Sequence, residues 1–527
     1  MSALTRLRTQ GIFGKNRTMA LTLAALMALF LLTMTGMSMQ DWVITLLRGL
    51  SVGAITFLVA SGFSLIFGLM DVLNLAHGTL FMIGAYIGWT VYIRPDTAID
   101  LATPALLLGA GLVLTPLLDR ALARVRLPGR VAQIWPWLAL LAALVVIFLA
   151  ARRYPVSIWD PKAYDKSPVV FGLMADQGQV SIGKPAEGTA AAIAVGMIGA
   201  LAAGIVLALG LAGFGRRKQA DVQATGAWPR RPLIVALILV SLGVILHLLN
   251  TPLTDSLVRS GTNLRFLVAV IVATVGGGAI GALMESALIR PLYARPIYQL
   301  LLTLGLGVIG REVVIAIWGR TGMTMPSPAL FNTTGKGCPA TSIAAWLANG
   351  CSTISFMDSR LRTYNEIFII LVCVLVLIAV WLLLQRTRLG MTIRAGVQDS
   401  QMVEALGINV RRVFTLVFAL GVALAALWGA LAGPMLSVAD DMGESFLLMA
   451  LIALAIGGLT SFPGAAAGSV IVALLQQFIV KYGQIGIHLP FLAAPFKPTP
   501  PIVPASTVLL MVIILLILPQ GLFGRKE

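Results

Sequence analysis

Charge is what this chain has least of. Only 11% of its 527 residues are Asp, Glu, Lys or Arg, against 58% hydrophobic residues, and the mean hydropathy is +0.93. That scarcity excludes a water-covered globular surface and implies a polytopic membrane protein. Histidine is almost missing as well: His77, His247 and His488 are widely separated, and no His-Glu-x-x-His or Cys-x-x-Cys spacing occurs. Nothing therefore points to a metal site. No Gly-x-x-x-x-Gly-Lys-Ser/Thr loop occurs either, so no segment is built to cradle ATP phosphates. No polar block between the apolar runs is long enough for a separate catalytic domain. Of the three cysteines, Cys373 lies in an apolar run as a small packing residue, while Cys338 and Cys351 share one sizeable loop, 319–365. A disulfide and two separate thiols are both open there.

What is present is apolar sequence in repeated lengths. About fourteen runs long enough to cross a bilayer extend from Thr18–Met37 to Val503–Leu522. Their length argues helix, so the expected fold is an all-α, polytopic bundle with some segments discontinuous or re-entrant. The net charge of +17 follows the membrane instead of forming a nucleic-acid footprint. Arg6, Arg8, Lys15 and Arg17 precede the first run, and Arg120, Arg124, Arg126 and Arg130 follow the fourth. If every run crosses, Arg216, Arg217, Lys218, Arg230, Arg231, Arg386, Arg388, Arg394, Arg411, Arg412, Arg525 and Lys526 fall on the same, cytoplasmic side. Arg152, Arg153, Lys162, Lys166 and Lys184 break the rule. The basic N-terminus and its long apolar run, with no small-x-small cleavage site, read as an uncleaved anchor. Pairs such as Gly49/Gly53, Gly84/Gly88, Gly277/Gly281, Gly429/Gly433 and Gly464/Gly468 suit closely packed membrane helices.

Three places carry chemistry. GLMDVLNLAHGTLFMIGAY, residues 68–86, sets Asp71, Asn74 and His77 among apolar or small residues. Polar groups in hydrocarbon need internal partners, and this run reads as a break in a helix. Asn74, His77 and Gly78 are candidates for a substrate path; the alternative is that Asn74 and His77 only cap the following helix. Gly49-Leu50-Ser51-Val52-Gly53 matches Gly-x-Ser-x-Gly, which raises an intramembrane serine hydrolase with Ser51 as nucleophile. Ser51, however, sits within a long helix-compatible run, where packing explains it. Finally, residues 386–412 form a basic amphipathic segment. Ile393, Met402, Val403 and Leu406 are expected on one apolar side of a short helix, with Asp399, Gln401 and Glu404 exposed and Gly407 ending it. That segment either docks a partner or lies on lipid headgroups.

VLNLAHGTLFMIGAY, ESALIRPLYARP at 285–296 with LLTLGLGV after it, RAGVQDSQMVEALGIN, IGGLTSFPGAAAG and the terminal LPQGLFG occur in that order. Together they resemble the permease subunit of branched-chain amino-acid ABC importers. The resemblance covers Val43–Arg94 and Leu264–Gly524. It implies a chain without a catalytic role or cofactor of its own, working with a second permease subunit, two cytoplasmic ATP-binding subunits and a periplasmic substrate-binding protein. By the same resemblance, Gln398, Asp399, Met402, Glu404, Ala405 and Gly407 belong to the loop that seats in the ATPase, although Val403 stands where such loops usually have alanine. Pro463 and Gly464 match the family's tight turn. The organisation expected is an additional anchor over 1–42, permease core over 43–94 and 264–527, and an inserted segment over 95–263 with about four helices. Urea or short amides remain alternative cargo. A passive channel or secondary carrier is a further alternative, suggested by the break and by Arg311 beside Glu312.

Overall fold

Apolar runs without water around them must satisfy their backbone groups internally, and helix does this within one segment. The computed structural model describes residues 18–123, 128–156, 189–216, 230–293, 295–335, 337–357, 359–487 and 495–524. The basic residues expected at both termini, together with Arg124, Arg126, Lys162, Lys166, Lys184, Arg217, Lys218 and His488, lie outside them.

In chain order the helices are α1 (Thr18–Gly36), α2 (Met39–Met70), α3 (His77–Ile93), α4 (Pro95–Val113), α5 (Thr115–Ala123), α6 (Gly129–Arg153), α7 (Ala190–Arg216), α8 (Arg230–Leu248), α9 (Asn250–Arg259) and α10 (Thr262–Met284). They continue as α11 (Pro296–Trp318), α12 (Ile343–Asn349), α13 (Ile369–Arg386), α14 (Arg388–Gln398), α15 (Ser400–Ala405), α16 (Val410–Leu436), α17 (Met442–Gly457), α18 (Phe462–Ile485) and α19 (Ile502–Ile517). Among the described residues, eleven helical stretches are long and apolar enough to cross a membrane. With α17, α19 and the 17-residue α3, each expected apolar segment is helical.

Two units divide the chain. One comprises 90–268 and holds α4 to α9 with the adjoining ends of α3 and α10. Its buried polar residues have partners: Arg94 grips Asp96 with two nitrogens at 2.7–3.2 Å, half-buried Asn250 donates to Asp100 at 2.5 Å, and the Tyr154 hydroxyl lies 3.1 Å from Nδ1 of half-buried His247. Paired in this way, ionic groups are tolerated inside an apolar bundle.

The other unit, 1–89 and 269–527, carries the candidate sites. Its centre is the long α2, buried along most of its length and packed between α16 and α18. Backbones touch where side chains vanish. A Cβ on Gly443, at the start of α17, would come within 2.6 Å of the Gly78 carbonyl at the start of α3, and one on Gly78 would strike the Gly443 carbonyl in turn. The 319–365 loop folds back over this unit, with β1 (Thr353–Phe356) pairing antiparallel to β2 (Ser359–Arg362) and Cys338 joined to Cys351. Met323 and Val438 exchange backbone hydrogen bonds at 2.7 and 2.8 Å, and Tyr364 donates to the Leu431 carbonyl at 2.6 Å.

After α10 the chain makes a π turn over Glu285–Ile289 and a 3-10 turn over Arg290–Leu292. Glu285 is fully buried, yet it is saturated. Arg290 binds both of its oxygens at 3.1 and 2.8 Å, and the Tyr293 and Thr415 hydroxyls donate to it at 2.6 Å each. Burial and that carboxylate push the Tyr293 phenol above its usual range. The knot ties the turn to the first turns of α16.

Replacing Glu285 by Ala leaves Arg290 without its counter-charge. Because Arg290 is one-third exposed, the expected loss sits at the low end for such pairs, about 2–3 kcal/mol, read as a lower thermal midpoint in detergent. Gly443→Leu forces α17 from α3 and lowers the same midpoint, by roughly 1–3 kcal/mol or more of overpacking; Gly305→Leu, where a Cβ meets nothing within 4 Å, leaves it in place.

Candidate functional site

The break anticipated between Gly68 and Gly78 occupies Asp71–Ala76. Asp71 closes α2 in the left-handed region at φ 52°, its amide bonded to the Phe67 carbonyl. The non-helical residues then find partners one by one. The Asn74 side-chain oxygen accepts from the Ala76 amide at 3.2 Å, and its carbonyl accepts from His77 at 3.1 Å. Thr303 of α11 bonds the Leu75 amide and the Leu73 carbonyl, each at 3.2 Å. His77 turns toward α2, with Nε2 at 3.1 Å from the Val59 carbonyl. A carbonyl only accepts, so Nε2 carries the proton. Asn74 and His77 are both fully buried, and Asn74 Nδ2 and His77 Nδ1 meet no partner among the described residues. Both side chains therefore face the inside of this unit and stabilise the break from behind; Gly78 sits there to let α17 approach.

The basic amphipathic segment differs from expectation in one respect. It is not one helix with one apolar side but two, α14 and α15, interrupted at Asp399. Asp399 is extended at φ −152°, and its carboxylate caps α15 by accepting from the Met402 amide at 2.9 Å. An aspartate offering its own oxygen to a backbone amide favours a new helix start over a helix interior. The restart rotates the residues after it. Ile393 and Val403 are buried at 1% and 4%, whereas Met402 and Leu406 are 61% and 73% exposed instead of joining them. Glu404, Ala405 and Ile408 are also exposed; the Gln398 and Gln401 side chains lie outside the described residues. Gly407, at φ +81°, ends α15: its amide bonds the Glu404 carbonyl at 2.9 Å, and that of Ile408 bonds Val403 at 3.3 Å. This paired arrangement needs a left-handed residue at its corner, which glycine supplies.

The bend between α17 and α18 falls at Gly458, φ +111°, with the Ser461 amide bonded to its carbonyl at 3.0 Å. Ser461 caps α18 by accepting from Gly464 at 3.1 Å, and Pro463 occupies the first helical turn. Gly464 has helical backbone; the lack of a side chain there lets the Gly457 carbonyl lie against it. Ser51 is buried inside α2 and donates to the Asn365 carbonyl at 2.6 Å, which is not the strained elbow that a nucleophile requires.

One cluster escaped sequence reasoning. Arg311 does not pair with Glu312 but with Asp440 at 3.1 Å and Glu444 at 3.3 Å. Glu312 is exposed on an apolar helix and has no ion-pair partner among the described residues. The adjacent Arg311–Glu312 dipeptide was the one available signal.

A family model described as branched-chain amino acid transport system / permease component matches residues 45–169 and 232–518. The chain is similar to the high-affinity branched-chain amino acid transport system permease protein LivH of Escherichia coli (strain K12), 26% identical over 264 residues, which make up 50% of this chain and 74% of that protein. It is also similar to the permease protein BraD of a high-affinity branched-chain amino acid transport system in Pseudomonas aeruginosa, 29% identical over 186 residues, 33% of this chain and 52% of that one. The fructose import permease protein FrcC of Rhizobium meliloti is 29% identical over 146 residues, 27% and 40% of the two chains. No solved structure matches. With most of its length matched and its spans helical throughout, this multi-pass membrane protein belongs to the family of permease components of branched-chain amino acid transport systems.

Proposed function

We propose that this chain is the transmembrane subunit of an ATP-driven importer for branched-chain or other hydrophobic amino acids in a bacterial inner membrane. Its partners are a second permease subunit, two cytoplasmic ATP-binding subunits and a periplasmic substrate-binding protein. Both termini and the α14–α15 segment face the cytoplasm, as the basic residues around that segment favour. Surrounding lipid completes its environment, and it takes no cofactor.

The observation that carries this reading is the shape of the α14–α15 segment. Ile393 roots α14 in a cluster with Leu65, Val380, Val417 and Leu424. Beyond the Asp399 cap, Met402, Leu406 and Ile408 project from the surface with Glu404 and Ala405. An apolar knob on a rooted stem suits a groove in a partner. No ATP-binding loop occurs in the chain itself, so the energy source lies elsewhere. Asn74, His77 and Gly78 serve this path as its rigid backing, an assignment supported by their complete burial.

Gly407→Trp puts a side chain at a left-handed position, a strain of about 1–3 kcal/mol that tilts the knob. The expected result in proteoliposomes is continued ATP hydrolysis with greatly reduced amino-acid uptake; full uptake removes the coupling role. In a pull-down, Met402→Asp with Leu406→Asp is expected to release the ATP-binding subunits while the chain stays folded. Subunits retained at the wild-type level would place their docking surface elsewhere.

A further inference from the structure

Charged side chains on the exposed face of an apolar helix need water, a partner or a ligand. Glu312 lies within the crossing stretch Pro296–Trp318, one turn beyond exposed Val308 and Ile309, and faces outward as they do. Lipid is a poor neighbour for it. Beside it, Arg311 is 36% exposed, and Glu444, in the first turn of α17, is 70% exposed. The Arg311 guanidinium is only partly engaged. Nη2 holds Asp440 and Nη1 reaches Glu444 at a slack 3.3 Å, while Nε is buried and meets no acceptor among the described residues. These groups stand against the α3 break: a Cβ on Gly310 would come within 2.7 Å of Thr79, and Gly443 abuts Gly78. One turn along α17 from Glu444, Leu448 is 60% exposed.

We infer that Arg311, Glu312 and Glu444 form a site on the translocation path for a zwitterionic amino acid with an apolar side chain. The substrate carboxylate takes Nη1 of Arg311 and displaces Glu444. The released Glu444 and the unpaired Glu312 then meet the substrate ammonium, while Val308, Ile309 and Leu448 supply an apolar wall. Asp440, only 16% exposed, stays on Nη2 and holds the guanidinium in place. A guanidinium flanked by carboxylates matches both ends of an amino acid and neither a sugar nor a hydrocarbon. This site rests on the importer reading above and goes further by naming where the cargo touches this chain.

The test uses the assembled importer, with its ATP-binding subunits and binding protein, in proteoliposomes. Glu312→Gln and Glu444→Gln are each expected to lower ATP-dependent leucine uptake about tenfold to a hundredfold, the effect of losing one charge-assisted hydrogen bond. Binding-protein-stimulated ATP hydrolysis persists. Glu312 makes no ion pair or side-chain hydrogen bond among the described residues, so Glu312→Gln separates recognition from misfolding. In a Cys373→Ser background, Glu312→Cys is expected to react with a membrane-impermeant, trimethylammonium-bearing thiol reagent, and turnover with leucine to slow that reaction. Uptake by both glutamine variants at the wild-type rate, or a Glu312→Cys thiol that stays inert in the importer, overturns the site and leaves the importer standing. A wild-type importer that hydrolyses ATP without taking up any apolar amino acid overturns the amino-acid reading and the site together.

Discussion

A backbone that leaves the helix at Asp71 and re-enters it at His77, inside an apolar unit, has to find partners for its amides and carbonyls without bulk water. That requirement organises much of the core around it. Asn74 supplies an oxygen to the Ala76 amide, Thr303 reaches across from α11 to two backbone groups, and His77 anchors the new helix on the Val59 carbonyl of α2. Each bond needs its helix at a set distance. Ile66, Val72, Ala76, Leu80, Phe418 and Val422 seal the surroundings. An unmade hydrogen bond here costs about 1–3 kcal/mol, more than most single packing contacts return, so the break constrains the positions of α2, α11, α16 and α17 together.

The amino-acid sequence discloses the helices well and their partners poorly. Length alone marks the crossing segments, because a bilayer sets the length of a helix whatever the details of its side chains. The break at Asp71–Ala76 is legible for a related reason: Asn74 and His77 are costly there unless something local uses them. The register of α14 and α15 is not legible, since Asp399 reads equally well as an exposed helix residue or as a cap, and only the cap shifts Met402 and Leu406 outward. Long-range pairs are hidden altogether. Arg311 stands next to Glu312 in sequence but pairs with Asp440, 129 positions away, and Glu285 meets Thr415 across 130 positions.

Charged residues in this protein are few, but most of those that are buried form closed sets. Glu285 with Arg290, Tyr293 and Thr415, and in the separate unit Arg94 with Asp96, saturate one another. Such sets stiffen a bundle and ask nothing from outside it. The Arg311 group is of the other kind, with carboxylate acceptor capacity left over on an exposed face. In a chain this poor in charge, that difference sets the proposed site apart from the scaffolding.

The joint at Asp399 has a mechanical corollary. Under the proposed docking, a continuous rod would transmit twist as well as thrust, whereas two short helices meeting at one extended residue would let the second turn slightly relative to the first while the root stays seated in the bundle. Thrust from a docked subunit would still arrive, through Val403 and Val410, both buried at 4% or less, at the foot of α16. A rotary wobble in the engine would thus be absorbed before it reaches the corridor, and only the lengthwise stroke would be felt inside.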